Sequence, residues 1–223
     1  MKIRNWVGAA VLMVAGLASA QEPIPQPIAP APAAVTGWTI SFSWSPEFCK
    51  RNLGIKEMQC LQENYFVLSG LAPGFAGEGP ACDRESLPRE LFPRALDVVH
   101  NEARLKKIWR QQGGCSGLAA GEYVLQLERA GRRISVPDRF RSTPREGLQL
   151  SQAEFKDAFL RDNPGLRADA ITLQCRGAWL ESASFCVNAD FGFQACPQAL
   201  TEGCAEPLRL RAIRPALRSD RDE

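Results

Sequence analysis

The clearest hydrophobic pattern in the chain lies between residues 38 and 45, where large apolar and small polar side chains alternate. The apolar positions are Trp38, Ile40, Phe42 and Trp44. A period of two predicts a strand with one buried face. A second apolar run begins at Tyr65, and Gly70 and Pro73 are expected to end it. Three further strands are therefore predicted over 65–69, 171–175 and 179–187.

The middle of the chain has helical spacing instead. Pro93 suits the first turn of a helix, and the pair Gly113-Gly114 would end it. The apolar stripe of this helix would carry Leu96, Val99, Ala103 and either Leu105 or Ile108. A second helix is predicted over 122–129, and Gly131 is expected to stop it.

A capping box marks the start of a third helix, because Ser151 is followed three residues later by Glu154. This helix would bury Phe155 and Phe159 and end by the sequence Asn-Pro-Gly at 163–165. Helices clustered between strands at both ends of the chain predict an α+β fold.

The N-terminal residues are typical of a secretory signal. Lys2 and Arg4 precede an apolar run over 6–16, and Ala-Ser-Ala at 18–20 suits signal cleavage. The run is too short for a membrane span, which needs about 20 apolar residues. We therefore expect a periplasmic or secreted protein with no membrane span after signal cleavage. The expected organisation is a signal peptide (1–20), a Pro/Ala-rich tether (21–37), a folded domain (38–204) and a basic C-terminal tail (205–223).

Charge adds little to this picture. The formal net charge is +2, and Lys2 and Arg4 account for the whole excess, so the exported part is neutral. Neutrality argues against an obligatory electrostatic grip on nucleic acid. The tail contains Arg209, Arg211, Arg214, Arg218 and Arg221. These arginines are interpreted as a solvated, frayed end.

The eight cysteines all follow the predicted signal peptide. An even number in an exported chain indicates disulfides, and counting alone allows 105 pairings. No Cys-x-x-Cys pair occurs, and the single histidine, His100, is not at ligand spacing from any cysteine. The sequence therefore predicts neither a metal site nor a cofactor.

Several segments occur in a recognisable order. Residues 42–49 are FSWSPEFC, 66–73 are FVLSGLAP and 109–118 are WRQQGGCSGL, followed by NPGL at 163–166 and a cysteine-rich end at 175–204. Together they resemble the ribonuclease T2 family, whose active-site segments read FVxHGLWP and HEWxKHGTCSGL. The resemblance covers roughly residues 38–204. It implies a ribonuclease T2-like fold, with a central antiparallel sheet, flanking helices and disulfide staples.

The resemblance also implies how the cysteines pair. Cys82–Cys115 would tie the loop after the first active-site segment to the end of the second. The other implied bridges are Cys49–Cys60 near the start and the nested pairs Cys175–Cys204 and Cys186–Cys196 at the end.

Ribonucleases of this family cleave RNA through a 2′,3′-cyclic phosphate, with a general base for the 2′-OH and a general acid for the leaving 5′-oxygen. Histidine suits both tasks because its pKa lies near neutrality. In this chain Ser69 stands at the histidine position of the first segment, and the first-segment tryptophan is Ala72. The second segment keeps Trp109 but has Lys107, Ile108, Gln111 and Gln112 where the motif has His, Glu, Lys and His.

These substitutions remove every group suited to proton transfer. Positions 107, 108, 111 and 112 share one helix face, but Gln transfers protons poorly, and Lys107 would need a pKa lowered by several units. His100 would lie two helical turns before Lys107, about 10 Å along the same helix, which is too far to replace a motif histidine. No catalytic residue is expected. Ser69, Lys107, Trp109, Gln111 and Gln112 remain as ligand-binding candidates, and all except Trp109 should converge on one concave surface.

Three functions stay open at this point. The leading hypothesis is a catalytically degenerate protein of the ribonuclease T2 type that binds RNA or a nucleotide in the retained cleft. The second is an envelope protein with a filled cleft that binds another protein. The third is a weak periplasmic endoribonuclease that uses unassigned residues.

Overall fold

A computed structural model describes residues 33–54, 57–62, 64–142, 145–197 and 203–213. The predicted signal peptide and most of the predicted tether lie outside these residues. The first strand begins at Val35, so the last three residues of the predicted tether belong to the folded domain. Within the described ranges, no helix combines the length and the apolar character needed to cross a membrane.

The described strands form one sheet in the order β2-β1-β5-β6-β3, and β4 pairs with β5 off this path. All strand pairs are antiparallel except a single parallel β5–β6 contact between Trp179 and Arg209. The elements along the chain are β1 (Val35–Trp44), α1 (Ser45–Arg51), α2 (Met58–Leu61), β2 (Phe66–Phe75), α3 (Phe92–Val99), α4 (Glu102–Gln111), α5 (Ala120–Arg133), β3 (Leu148–Leu150), α6 (Gln152–Asp162), β4 (Ile171–Arg176), β5 (Trp179–Asn188) and β6 (Leu208–Leu210). The predicted α+β class is confirmed.

The strand β1 has the predicted alternation, and its apolar residues are buried in the core. An aromatic cluster joins β1 and β2 to α6, with Phe66 4.9 Å from Trp44 and 5.9 Å from Phe159 between ring centroids. The predicted capping box is also present, since Ser151 Oγ accepts from Glu154 N and Glu154 Oε2 accepts from Ser151 N.

The helix predicted to run from Pro93 to Gly113 is wrong as a single element. It breaks at His100, which ends α3 in the left-handed region with φ of 57°. Asn101 then caps α4, its side-chain oxygen accepting from Arg104 N at 2.7 Å. A left-handed residue followed by an Asn N-cap is a strong local stop and start signal. His100 is therefore not on the α4 axis, and its predicted place two turns before Lys107 is wrong.

Three expected stop signals do not act as stops. Strand β2 continues through Gly70 and Pro73 to Phe75 because, among the described strands, it pairs only with β1. Proline is tolerated on such an edge strand, where its missing N–H breaks no ladder. Helix α5 continues past Gly131, at which a Cβ would lie 2.8 Å from Val98 Cβ. Gly131 thus permits close packing of α5 on α3.

The described part of the predicted tail is folded, which corrects the interpretation of residues 205–213 as a frayed end. Leu208 and Leu210 are buried in β6. Arg211 forms an ion pair with the buried Glu47, and its guanidinium carbon lies 4.1 Å from the ring centroid of Trp179. Residues 214–223 lie outside the described part of the chain.

The structure contains the four disulfides that the resemblance implies. Cys82–Cys115 joins the loop after β2 to the turn after α4, and the backbone of Asp83 donates to Gly114 O at 2.6 Å beside it. This bridge therefore fixes the end of α4, where the predicted site residues lie.

The break at His100 leads to a stability prediction. We expect His100→Gly to stabilise the protein by about 1 kcal/mol, because glycine adopts the left-handed conformation without the Cβ clash. Ala103→Gly, inside the exposed face of α4, is the matched control and should destabilise by about 1 kcal/mol. Urea unfolding measures both changes. Destabilisation by His100→Gly would indicate a continuous helix and contradict the break.

Candidate ligand-binding cleft

A cavity of about 370 Å³ lies where α4 faces β2 and the α1–α2 segment. It is lined by Phe48, Glu57, Ser69, Ala103, Arg104, Lys107, Ile108, Arg110, Gln111 and Gln112. Ser69, Lys107, Gln111 and Gln112, which come from two separate segments, thus share one concave surface.

Trp109 lies elsewhere. Its side chain is 4% exposed, and its indole Nε1 donates to Glu85 O at 2.7 Å. The ring packs edge-on against Tyr123 with 5.8 Å between centroids. Trp109 therefore belongs to the core, and among the sequence-predicted binding candidates it alone does not line the cleft.

Ser69 is the extra residue of a β-bulge. The β1–β2 register changes from Ser41 opposite Gly70 to Phe42 opposite Leu68, which leaves Ser69 without a partner position. Its hydroxyl donates to Ser41 O at 3.1 Å. Bulges redirect a side chain locally, and here the bulge places Ser69 at the cleft with its proton already committed to the backbone.

Gln112 is held against β2. Its Oε1 accepts from Leu71 N at 2.6 Å, and a Cβ at Gly70 would lie 2.9 Å from its Nε2. A side chain at position 70 would therefore collide with the Gln112 amide, and Gly70 allows this amide to reach Leu71 N. The carbonyl of Leu71 accepts a hydrogen bond from the Tyr123 hydroxyl at 2.8 Å. Burial raises the pKa of Tyr123.

Lys107 and Gln111 point to the cleft from the exposed face of α4. Lys107 forms no ion pair with any residue that the structure describes, whereas its neighbour Lys106 pairs with Glu102 at 2.5 Å. Ile108 is buried and forms an apolar part of the lining. The cleft thus offers an uncommitted ammonium and an amide next to an apolar surface.

The sequence analysis did not identify the partly buried ion pair between Arg104 and Glu57 in the same cleft. Arg104 Nη2 lies 3.6 Å from Glu57 Oε2, and Arg104 Nη1 donates to Ser43 Oγ at 3.1 Å. The guanidinium also stacks on Phe48, 4.9 Å from the ring centroid. Burial lowers the pKa of Arg104, while the Glu57 carboxylate acts against that shift. Arg104 could have been found from its helical spacing, three residues before Lys107 and four before Ile108.

This pair is not fully satisfied. Arg104 Nε and Glu57 Oε2 are buried and have no hydrogen-bond partner within the described residues. A buried donor or acceptor without a partner is costly, so such groups normally bind water or a ligand. With Lys107 and Arg110, the cleft carries three cationic side chains against the one carboxylate of Glu57.

The side chains of the lining suit anion binding better than proton transfer. Its polar lining consists of one hydroxyl, two amides, three cations and one ion-paired carboxylate, and no imidazole is among the lining residues. Within the described residues, no three His, Cys, Asp or Glu side chains come together as metal ligands would.

The double anchoring of Leu71 predicts unequal roles for two adjacent glutamines. Gln112→Ala should destabilise the protein by about 1–3 kcal/mol, because Leu71 N loses its acceptor in a partly buried site. Gln111→Ala is the matched control and should change stability by less than about 0.5 kcal/mol. Urea unfolding of both variants is the measurement, and equal effects would contradict the assigned role of Gln112.

No protein-family model and no curated protein matches the chain. Several solved structures, by contrast, match the fold of the chain. The S-like ribonuclease trichomaglin has a TM-score of 0.62 at 15% identity, covering 81% of this chain and 99% of its own. Ribonuclease MC1 from the seeds of bitter gourd has a TM-score of 0.56 at 15% identity, with 73% and 94% covered.

RNase NT, solved in complex with 5′-AMP, has a TM-score of 0.58 at 16% identity and covers 80% of this chain and 98% of its own. All three are ribonucleases of one architecture, and the order of the sequence motifs agrees with it. At these identities the likeness establishes the fold alone: the chain has the ribonuclease T2 fold.

Proposed function

We propose that this protein is a non-catalytic member of the ribonuclease T2 type that binds the phosphate of a nucleotide or of an RNA end in the cleft. The observation that carries the proposal is the lining: three cations and the amide of Gln111 are available, while Ser69 and Gln112 are engaged by the backbone. Structural neighbours were solved with 5′-UMP, 5′-GMP and 5′-AMP, which supports a nucleotide as the ligand.

Two of the three cations, Lys107 and Arg104, have different parts in this binding. Lys107 is an exposed point charge without an ion-pair partner among the described residues, so it can approach a phosphate from solvent. Arg104 is held by Phe48 and Ser43, so it adds a positive charge to the lining at a fixed position. Charge-assisted hydrogen bonds of this kind are about twice as strong as neutral ones.

Catalysis is a different matter. Cleavage requires an acid and a base within hydrogen-bond reach of the reacting oxygens, and losing one such group typically costs about 10²–10⁴ in rate. Arginine stays protonated in proteins, and an amide has no useful proton to transfer. Of the remaining groups, the Ser69 hydroxyl donates to Ser41 O and the Glu57 carboxylate faces Arg104.

The four disulfides indicate an oxidising compartment. Together with the predicted signal peptide, they support a place in the periplasm or outside the cell.

A second candidate function is binding of an envelope protein, and exposed apolar side chains beside the cleft favour it. Leu53, Met58 and Leu61 are all exposed, and they belong to the α1–α2 segment that Cys49–Cys60 closes. This candidate gains support if nucleotides and RNA both fail to bind.

Nucleotide binding should depend on Lys107 and not on the adjacent lysine. We expect Lys107→Gln to weaken binding of 5′-AMP about tenfold at low salt, since it removes one charge-assisted contact with the phosphate. Lys106→Gln is the matched control on the same helix, because Lys106 pairs with Glu102 and does not line the cleft. Isothermal titration calorimetry measures both. Absence of binding by the unmodified protein, or no effect of Lys107→Gln, would overturn the proposal.

Cleavage should be absent. We expect no cyclic-phosphate product above background from short RNA at about pH 5–7, where paired histidines work best. The fivefold variant S69H/K107H/I108E/Q111K/Q112H returns the motif groups to the existing frame and should gain measurable cleavage. Product analysis by chromatography is the measurement. Robust cleavage by the unmodified protein that Lys107→Ala abolishes would instead establish the weak ribonuclease with Lys107 as its base.

A further inference from the structure

A second cavity, of about 660 Å³, lies along the C-terminal half of α5, against the turn that follows β5. It shares no lining residue with the cleft. Its main feature is a row of three arginines, Arg129, Arg132 and Arg133, spaced i, i+3 and i+4 along the helix. Side chains at this spacing are neighbours on one helix face, so three positive charges meet here.

Two of these guanidiniums are held in place by aromatic rings. Arg129 lies 4.4 Å from the ring centroid of Phe191, and Arg133 lies 3.6 Å from that of Phe193. Each also donates to a backbone carbonyl: Arg133 Nε to Phe191 O at 2.8 Å, and Arg129 Nη2 to Asp190 O at 3.4 Å. Stacking and hydrogen bonding fix the planes of the two groups before any ligand arrives, and each keeps N–H donors to spare.

The turn after β5, at residues 188–192, positions the groups that contact Arg129 and Arg133. Phe191 has a φ of 67°, an unusual conformation for a bulky residue. Asn188 Oδ1 stabilises the turn by accepting from Asp190 N at 3.0 Å and from Gly192 N at 2.8 Å. The Cys186–Cys196 bridge closes the same segment. The strained residue is thus the one that supplies a ring to Arg129 and a carbonyl to Arg133.

The negative charges nearby leave a positive excess. Glu128 is engaged by Arg94, which donates to both of its carboxylate oxygens at 2.9 and 2.8 Å. Asp190 supplies the other carboxylate of the lining. Arg132 is exposed, and its side chain has no hydrogen bond, ion pair or ring contact within the part of the chain that the structure describes.

We propose that this cavity binds consecutive phosphate groups, as found in an inorganic oligophosphate or along the backbone of single-stranded RNA. Guanidinium groups bind phosphate oxygens in a two-pronged geometry, and three of them on one helix face match more than one phosphate. Phe191 is the one aromatic residue in the lining, and it is only 5% exposed, so the cavity offers little aromatic surface for stacking a base. Recognition is therefore of charge and independent of base identity.

The test titrates tripolyphosphate into the oxidised full chain by calorimetry at low salt. Arg132→Gln should weaken binding about tenfold, because it removes one charge-assisted contact without disturbing a packed group. Arg129→Gln combined with Arg132→Gln should weaken it further. Arg161→Gln, which removes an exposed arginine from α6, is the matched control and should change binding less than about twofold.

Other results would overturn the site. Equal weakening by Arg132→Gln and Arg161→Gln would indicate general charge attraction, and loss of binding in Lys107→Gln would place the phosphates in the cleft. No binding of tripolyphosphate by the unmodified protein would also refute the proposal. Because Lys107→Gln reports on the cleft and Arg132→Gln on α5, failure of this site and failure of nucleotide binding are separate outcomes.

The source of the phosphates is resolved by two further arms. A short single-stranded RNA whose binding weakens with Arg132→Gln and with added salt supports the RNA backbone as ligand. Binding of tripolyphosphate without such RNA binding supports an inorganic oligophosphate. Vesicles that contain anionic phospholipid should bind no better than neutral vesicles, since the arginines line a concavity. Binding to anionic vesicles alone would overturn the proposal in favour of a membrane contact.

Discussion

The cleft depends on how the outer edge of β2 is satisfied. This strand pairs only with β1 among the described strands, so a buried residue such as Leu71 needs partners for its N–H and C=O from outside the sheet. Gln112, at the end of α4, accepts from the N–H, and Tyr123, in the first turns of α5, donates to the C=O. Two helices are thereby fixed to one residue of the strand, and the disulfide at Cys115 closes the turn between them. The position of every cleft residue on α4 follows from this contact.

The same contact shows what the residue at one of the positions aligned with the motif histidines does in this chain. A side chain at position 112 lies beside the sheet edge, and glutamine there completes the hydrogen bonding of Leu71 instead of moving protons. Ser69 does the same for Ser41 O at the bulge. Ser69 and Gln112, the two residues at motif histidine positions that contact the sheet, are therefore held by hydrogen bonds to the backbone. The exposed polar lining side chains without a hydrogen-bond or ion-pair partner among the described residues are those of Lys107, Arg110 and Gln111.

Patterns that arise from local physics were predictable. The alternation along β1 follows from the two-residue period of a strand, the capping box follows from contacts between Ser151 and Glu154, and both are present. The break at His100 was not predictable from periodicity, because the apolar stripe continues from α3 into α4 and masks the cap at Asn101. The strands β3 and β6 have three residues each, too few to show a period of two, and they form where β6 pairs with β3 on one side and contacts β5 on the other.

The site was predictable to the extent that one helix face carries it. Spacing along α4 brings Lys107 and Gln111 together, whereas Glu57 comes from a segment with no periodic signal and meets Arg104 only in the folded chain. The net charge of residues 21–223 is zero, but this sum does not show where the charged side chains lie in the folded chain. It therefore could not indicate a local cluster of cations. Glutamates that balance the total are committed to single partners: Glu57 to Arg104, Glu102 to Lys106 and Glu128 to Arg94. Cations beyond those pairs line two separate concavities, so residues 21–223, whose formal charges sum to zero, still have local surfaces suited to anions.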